Sequence, residues 1–184
     1  MLNRKTFDDN LHQILAAEES AKHVDKERRT DRPVQFSNWL VVIDIDHFKR
    51  INDQFGHLFG DEVLILIADT MRKAFRRRDK LFRFGGEEFV VLLRHVSEKH
   101  AYLALERFRQ AVGMRDFPQV GKVTVSIGYT RFQELDNSTD VLGRADEALY
   151  YAKHHGRDQV RNYEELIRAD HLTRHTLNTK ADIF

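Results

Sequence analysis

The sequence predicts an α+β domain in which a mixed sheet is covered by helices. Three observations point there. Residues Trp39 to Ile45, WLVVIDI, form a short apolar run rich in β-branched residues, as in a strand buried on both faces. Two further apolar stretches, Lys80 to Phe84 and Glu88 to Leu93, flank Gly85-Gly86-Glu87, a hairpin turn signal. Around these strands apolar residues recur at three and four positions, the period of helices packed on a sheet. The resulting order, β-α-α-β-β-α-β-α, suits sequential strands joined by helices and one hairpin.

Each element follows from its residues. A short helix is expected over Arg4 to Ala17, with Phe7, Leu11, Ile14 and Leu15 on one face. The charged stretch ESAKHVDKERRTDRP then reads as a solvated linker closed by Pro33, because acids interleave its bases. After the first strand, residues 47–55 form a helix with Phe48, Ile51 and Phe55 on one side, and Asp46 is placed to cap it. Gly56 and Gly60 bracket a loop. A helix from Asp61 to Phe75 turns Val63, Leu64, Ile67, Ala68, Met71 and Phe75 inward. Beyond the hairpin, Ser97 caps a helix running to Met114. Lys122 to Phe132 alternates as a strand. A helix beginning at Thr139 or Asp140 ends near Gly156. Gln159 to Tyr163 reads as a short strand, and the rest as a polar tail. The division is therefore residues 1–38 as helix and linker, 39–163 as the core, and 164–184 as the tail.

Composition removes several classes of function. The 184 residues contain no cysteine, so disulfide scaffolds, thiolate zinc sites and cysteine nucleophiles are excluded. Thirty Lys and Arg against 29 Asp and Glu leave a net charge of +1, with no general basic field for nucleic acid. No apolar run approaches the roughly 20 residues of a membrane helix, and MLNRKTFDDN lacks the apolar segment of a signal peptide. A cytoplasmic domain is the expectation.

The chemistry concentrates at two places. Asp44 ends a buried strand, where a carboxylate is costly unless paired or metal-bound, although it could equally cap the next helix. Gly85-Gly86-Glu87-Glu88 sets two adjacent acids on a turn that permits close backbone approach. Adjacent carboxylates repel unless a cation neutralises them. Mg2+ takes one or two carboxylates together with substrate phosphates.

These segments belong to a longer constellation. DIDHFKxINDxFGHxxGD from Asp44 to Asp61 precedes RFGGEEF from Arg83 to Phe89. Ser126-Ile127-Gly128 follows, and then ADEALYxAKxxGR from Ala145 to Arg157. With Leu2-Asn3-Arg4-Lys5-x-Phe7 at the start, the pattern resembles the GGDEF family of diguanylate cyclases, in the GGEEF spelling, over residues 2 to about 162. The resemblance implies a nucleotidyl-cyclase-like palm with a ferredoxin-like βααββαβ core. It also implies condensation of two GTP into cyclic di-GMP with release of two pyrophosphates. Asp44, Glu87 and the Ile45 carbonyl would hold Mg2+, with Mn2+ as an alternative ion, and Glu88 would act at the metal or in proton handling. Asn52 and Asp61 would read the guanine edge, whose donors suit a carboxylate and whose acceptors suit an amide. The Gly85-Gly86 turn would lie against the nucleotide. The backbone amides of His47 and Phe48 would cradle phosphates, and Lys49, Lys153 and Arg157 would neutralise them.

The same resemblance implies a second site. Arg76-x-x-Asp79 stands at the spacing of the family's inhibitory product site. The alternative there is a basic helix end favoured by the helix dipole. Since one domain holds one GTP, catalysis would need a homodimer, even a transient one. Two departures are visible: His47 stands where related domains often carry an aromatic, and the acidic-x-Leu-Thr-Gly lead-in is missing because the chain starts at Met1. The latter implies a piece of, or an internal start within, a longer protein. Two rival functions are a non-enzymatic cyclic di-GMP sensor and a cyclase making a mixed cyclic dinucleotide.

Overall fold

The computed structural model describes residues 2, 6, 7, 9–11, 13, 14, 36–133 and 136–173. The charged linker, most of the opening LNRK and the tail from 174 lie outside the described residues. The elements are α1 (described residues within 6–14), β1 (Phe36–Ile45), α2 (Phe48–Phe55), α3 (His57–Ala74), β2 (Lys80–Gly85), β3 (Glu88–Ser97), α4 (Glu98–Gly113), β4 (Val125–Arg131), α5 (Ser138–His154), β5 (Val160–Asn162) and α6 (Tyr163–Arg168).

Five strands form one mixed sheet in the order β2-β3-β1-β4-β5. β1 is central, antiparallel to both β3 and β4, and β5 joins β4 in parallel. Strand alternation sends its side chains to two separate cores. Trp39, Val41, Ile43 and Ile45 meet Ile67 and Met71 of α3 and Leu105 and Phe108 of α4 on one face. Leu40 and Val42 meet Val141, Ala145 and Leu149 of α5, together with Phe7, Leu11 and Ile14 of α1, on the other. Asp44 continues the second series and so points to the α5 side.

α5 lies very close to the sheet because Gly128 of β4 has no side chain. A Cβ there would stand 2.2 Å from the Leu149 amide nitrogen and 2.3 Å from the Ala145 carbonyl oxygen. This close approach brings the C-terminal end of α5 to the end of β1.

Several boundaries differ from the sequence reading, each for a tertiary reason. α3 begins at His57, so Gly60 is helical and no loop spans 56–60. Gly56 alone joins α2 to α3, at φ 88°, and donates its N–H to the Asn52 carbonyl. Asp46 does not cap α2; the cap position is His47, in a left-handed conformation and without a side-chain bond. Ser97 does precede α4, but its hydroxyl pairs with His100 Nδ1 instead of a backbone amide. Asn137 caps α5 by accepting from the amides of Thr139 and Asp140. The stretch from 164, read as tail, begins inside α6. Glu164 accepts from the Thr130 hydroxyl at 2.7 Å and the Arg131 amide at 3.0 Å, and Leu166 is buried. This helix therefore packs on the core.

Candidate active site at the end of the central strand

Asp44 is the last even-numbered residue of β1 and is 5% exposed. It stands opposite Glu88 of β3 on one side and Ser126 of β4 on the other. Lys153 of α5 places Nζ 2.8 Å from Asp44 Oδ2. Burial nevertheless prevails: the Asp44 carboxyl is pushed up to about 6, against the pull of Lys153 and with the added repulsion of Glu87 and Glu88. Three carboxylates thus converge on one sheet end with a single lysine bonded to Asp44.

The turn that brings the acids there depends on its glycines. Gly85 has φ 154° and Gly86 φ 49°, and the ladder between β2 and β3 is irregular between Arg83 and Gly85. Arg83 donates to the Gly86 carbonyl from Nε and Nη2, at 3.3 and 3.0 Å, pinning the turn. Glu87 is half-buried and Glu88 exposed.

α2 and α3 build the next part. Phe48 and Ile51 are buried and anchor α2 to the sheet. The helix start carries no side-chain cap, which leaves its first amides to other partners. Lys49 is exposed. The Asn52 side chain crosses directly over Gly60, where a Cβ would meet Asn52 Oδ1 at 1.9 Å. Asp61 follows Gly60, exposed, so the amide and the carboxylate flank one helix crossing. At the far side, Arg157 is exposed in a left-handed turn after α5, and its guanidinium has no partner among the described residues.

The expected site residues therefore gather around the C-terminal end of β1, except Arg76 and Asp79. These lie at the opposite end of β2, roughly 17–20 Å away at the usual rise per residue. α3 ends at Ala74, with Arg72 and Lys73 in its last turn. Arg76 to Arg78 lie beyond it, which weakens the dipole explanation for them. Asp79 accepts from the Arg76 amide at 2.9 Å and the Arg94 amide at 3.4 Å, closing the turn, while the Arg76 guanidinium has no partner among the described residues.

One acid of this neighbourhood was not singled out from the sequence. Asp146 of α5 is raised above the usual carboxylate range by burial and by the charge of Glu88, against the pull of Lys153. Its signal was available: it precedes Lys153 by seven residues, two helical turns, and so shares its face. Among the described residues no three His, Asp or Glu side chains form a metal-holding group.

Comparison with known proteins gives the family. The family model for the diguanylate cyclase GGDEF domain matches residues 1–159. Diguanylate cyclase DgcP of Pseudomonas aeruginosa is 50% identical over 124 residues, covering 66% of this chain and 18% of that protein. Diguanylate cyclase VdcA of Vibrio cholerae is 32% identical over 166 residues, covering 87% of this chain and 44% of that one. The chain thus spans less than half the length of these curated relatives. Among solved structures, the GGDEF domain of DgcB from Caulobacter crescentus in complex with c-di-GMP superposes with a TM-score of 0.77. It is 32% identical, with 88% of this chain and 91% of that one covered. The active GGEEF domain of a diguanylate cyclase from Vibrio cholerae gives 0.73 at 31% identity, over 89% and 97%. With the Gly-Gly turn, its acids and the buried strand-end aspartate assembled on this sheet, the chain belongs to the GGDEF domain family of diguanylate cyclases.

Proposed function

We propose that the domain condenses two GTP into cyclic di-GMP. The observation that carries this is the convergence of Asp44, Glu87 and Glu88 at the end of β1, with Lys153 bonded to Asp44. A divalent cation, Mg2+ or Mn2+, fits the set. The mutual repulsion of three acids and the raised carboxyl of Asp44 are what a cation would relieve. Asp44, Glu87 and the Ile45 carbonyl would hold it. When bound, it would stabilise phosphate charge and favour deprotonation of the attacking 3′-hydroxyl. Glu88 stands opposite Asp44 in the ladder and would assist at that metal or take the proton. The amides of His47 and Phe48, with Lys49, Lys153 and Arg157, would hold the triphosphate. Each domain would bring one GTP, and two domains would meet face to face. The test is incubation with GTP and Mg2+. A folded domain that binds cyclic di-GMP yet leaves GTP intact would instead be a sensor.

Base choice is assigned to Asn52 and Asp61. Asp61→Ala removes an acceptor for the guanine donors and is expected to weaken GTP binding by about 1–3 kcal/mol, and ATP binding less. Gly60→Ala is expected to act the same way, because the new methyl group must displace the Asn52 carboxamide. Calorimetry with both nucleotides checks this. Equal losses for GTP and ATP, or product from mixed GTP and ATP as good as from GTP alone, would argue for a mixed-specificity cyclase.

Feedback inhibition by cyclic di-GMP is assigned to Arg76 and Asp79. Arg76 would pair with phosphate and stack on guanine. Because Asp79 also closes its own turn, Arg76→Ala is the cleaner variant. Arg76→Ala is expected to retain turnover and lose sensitivity to added product. A variant as sensitive as the wild type would return Arg76 to Arg78 to an ordinary solvated turn.

A further inference from the structure

We infer that Asp46 is a positioning residue for the triphosphate, acting through the left-handed turn that presents Arg157. The inference rests on the GTP reading above and extends it to a residue that no proposed ligand contact includes. Asp46 is 5% exposed, beyond the end of β1. Its Oδ1 accepts from the Ser126 hydroxyl at 2.6 Å. Its Oδ2 accepts from the Thr124 hydroxyl at 2.7 Å and from the Asp158 amide at 3.0 Å. A buried carboxylate with three donors is satisfied, and each donor is fixed by it in return.

The third donor matters most. Gly156, Arg157 and Asp158 have φ values of 112°, 59° and 44°. Left-handed backbone is unfavourable for the two residues that carry a Cβ, so neighbours must hold the turn. On the helix side, the Arg157 amide bonds the Ala152 carbonyl at 3.0 Å, and Gln159 Nε2 donates to the carbonyls of Ala152 and His155. On the other side, Asp158 is held at its amide by Asp46 and at its carboxylate by Arg109 of α4, at 2.5 Å. Asp46 therefore links the turn of Arg157 directly to the end of β1, beside the bond from the Ile127 amide to the Gln159 carbonyl that ties the following strand to β4. It also directly precedes His47, whose left-handed backbone, φ 58°, opens α2. One buried carboxylate thus ties together the two halves of the proposed phosphate cradle, the start of α2 and the turn of Arg157.

Asparagine would keep the Thr124 and Asp158 bonds on its oxygen while its NH2 donates to the Ser126 hydroxyl, so the variant that removes the link is alanine, which leaves all three donors without their acceptor. The experiment is a double-mutant cycle on binding of a GTP analogue with an uncleavable α–β bond, in Mg2+, by calorimetry. Asp46→Ala is expected to weaken binding about tenfold in the wild-type background and less than twofold in the Arg157→Ala background. Ser126→Ala, which leaves two of the three donors, serves as the milder variant should Asp46→Ala not fold, and its smaller loss is expected to vanish in the same background. Equal losses with and without Arg157, or no loss from either variant, would overturn the inference. Failure of Arg157→Ala itself to weaken binding would also overturn the inference, whereas a folded wild-type protein that does not bind the analogue would overturn the GTP reading on which it rests.

Discussion

Asp44→Asn is expected to abolish GTP turnover and to stabilise the protein. The activity loss is expected to be at least roughly 10²–10³-fold, the range for removal of one preorganised charge-stabilising group. Glu87→Gln is expected to do the same, because either variant turns an anionic oxygen donor into a neutral one. The stability gain follows from burial. The Asp44 carboxyl ionises at an ordinary value of 3.8 in the unfolded chain and at about 6 in the folded one. The folded state therefore binds the proton more tightly, and stability falls as pH rises from about 4 to about 6. Above pH 6 the full cost is present, about 3 kcal/mol from the separation of the two values. Asparagine removes it. Lys153, which loses its partner, is about one-third exposed and can turn to water. Thermal unfolding at pH 7.5 is expected to rise by several degrees in Asp44→Asn, at about 2–4 °C per kcal/mol for a chain of this size. At pH 4 the two proteins are expected to coincide. A variant that melts lower at pH 7.5 would mean that the Lys153 bridge outweighs burial.

Gly128→Ala is expected to be the most damaging single methyl group. The new Cβ would fall 2.2 and 2.3 Å from backbone atoms of α5, which no side-chain rotation relieves. The helix must shift by more than an ångström away from a core containing Leu40, Val42 and Leu149. Overpacking of this kind costs about 3 kcal/mol at the upper end of its usual range. The urea midpoint should fall accordingly. Because α5 also carries Lys153 and Asp146, nucleotide binding should weaken in the molecules that remain folded. A loss below about 1 kcal/mol would mean that the contact between α5 and β4 is looser than the geometry indicates.

What the sequence made legible was whatever local pattern dictates. The run WLVVIDI, the Gly-Gly hairpin and the amphipathic helices all carry periodicity within a few residues. The motif spacing also brought out Asp44 and Glu88, which the ladder sets opposite each other, and Glu87 in the turn just before β3. Features created by distant partners stayed hidden. Gly60 reads as a loop residue because glycine is rare in helices; its reason for being there is Asn52, which crosses over it. Asp46 reads as a cap because it precedes a helix, yet its partners Thr124, Ser126 and Asp158 are 78, 80 and 112 residues away. α6 is six residues long, too short for periodicity, and is held by Glu164 on β4 and by the Asn162 cap.

Two copies of this sheet end are expected to join two GTP molecules. The most direct test incubates the domain with GTP and Mg2+ over a range of protein concentrations and quantifies cyclic di-GMP and pyrophosphate together. Two pyrophosphates per cyclic di-GMP are predicted, with activity per domain rising with concentration as face-to-face pairs form, and with none from Glu87→Gln. A folded wild-type domain that binds GTP but yields no cyclic dinucleotide at any concentration would contradict the proposed cyclase activity.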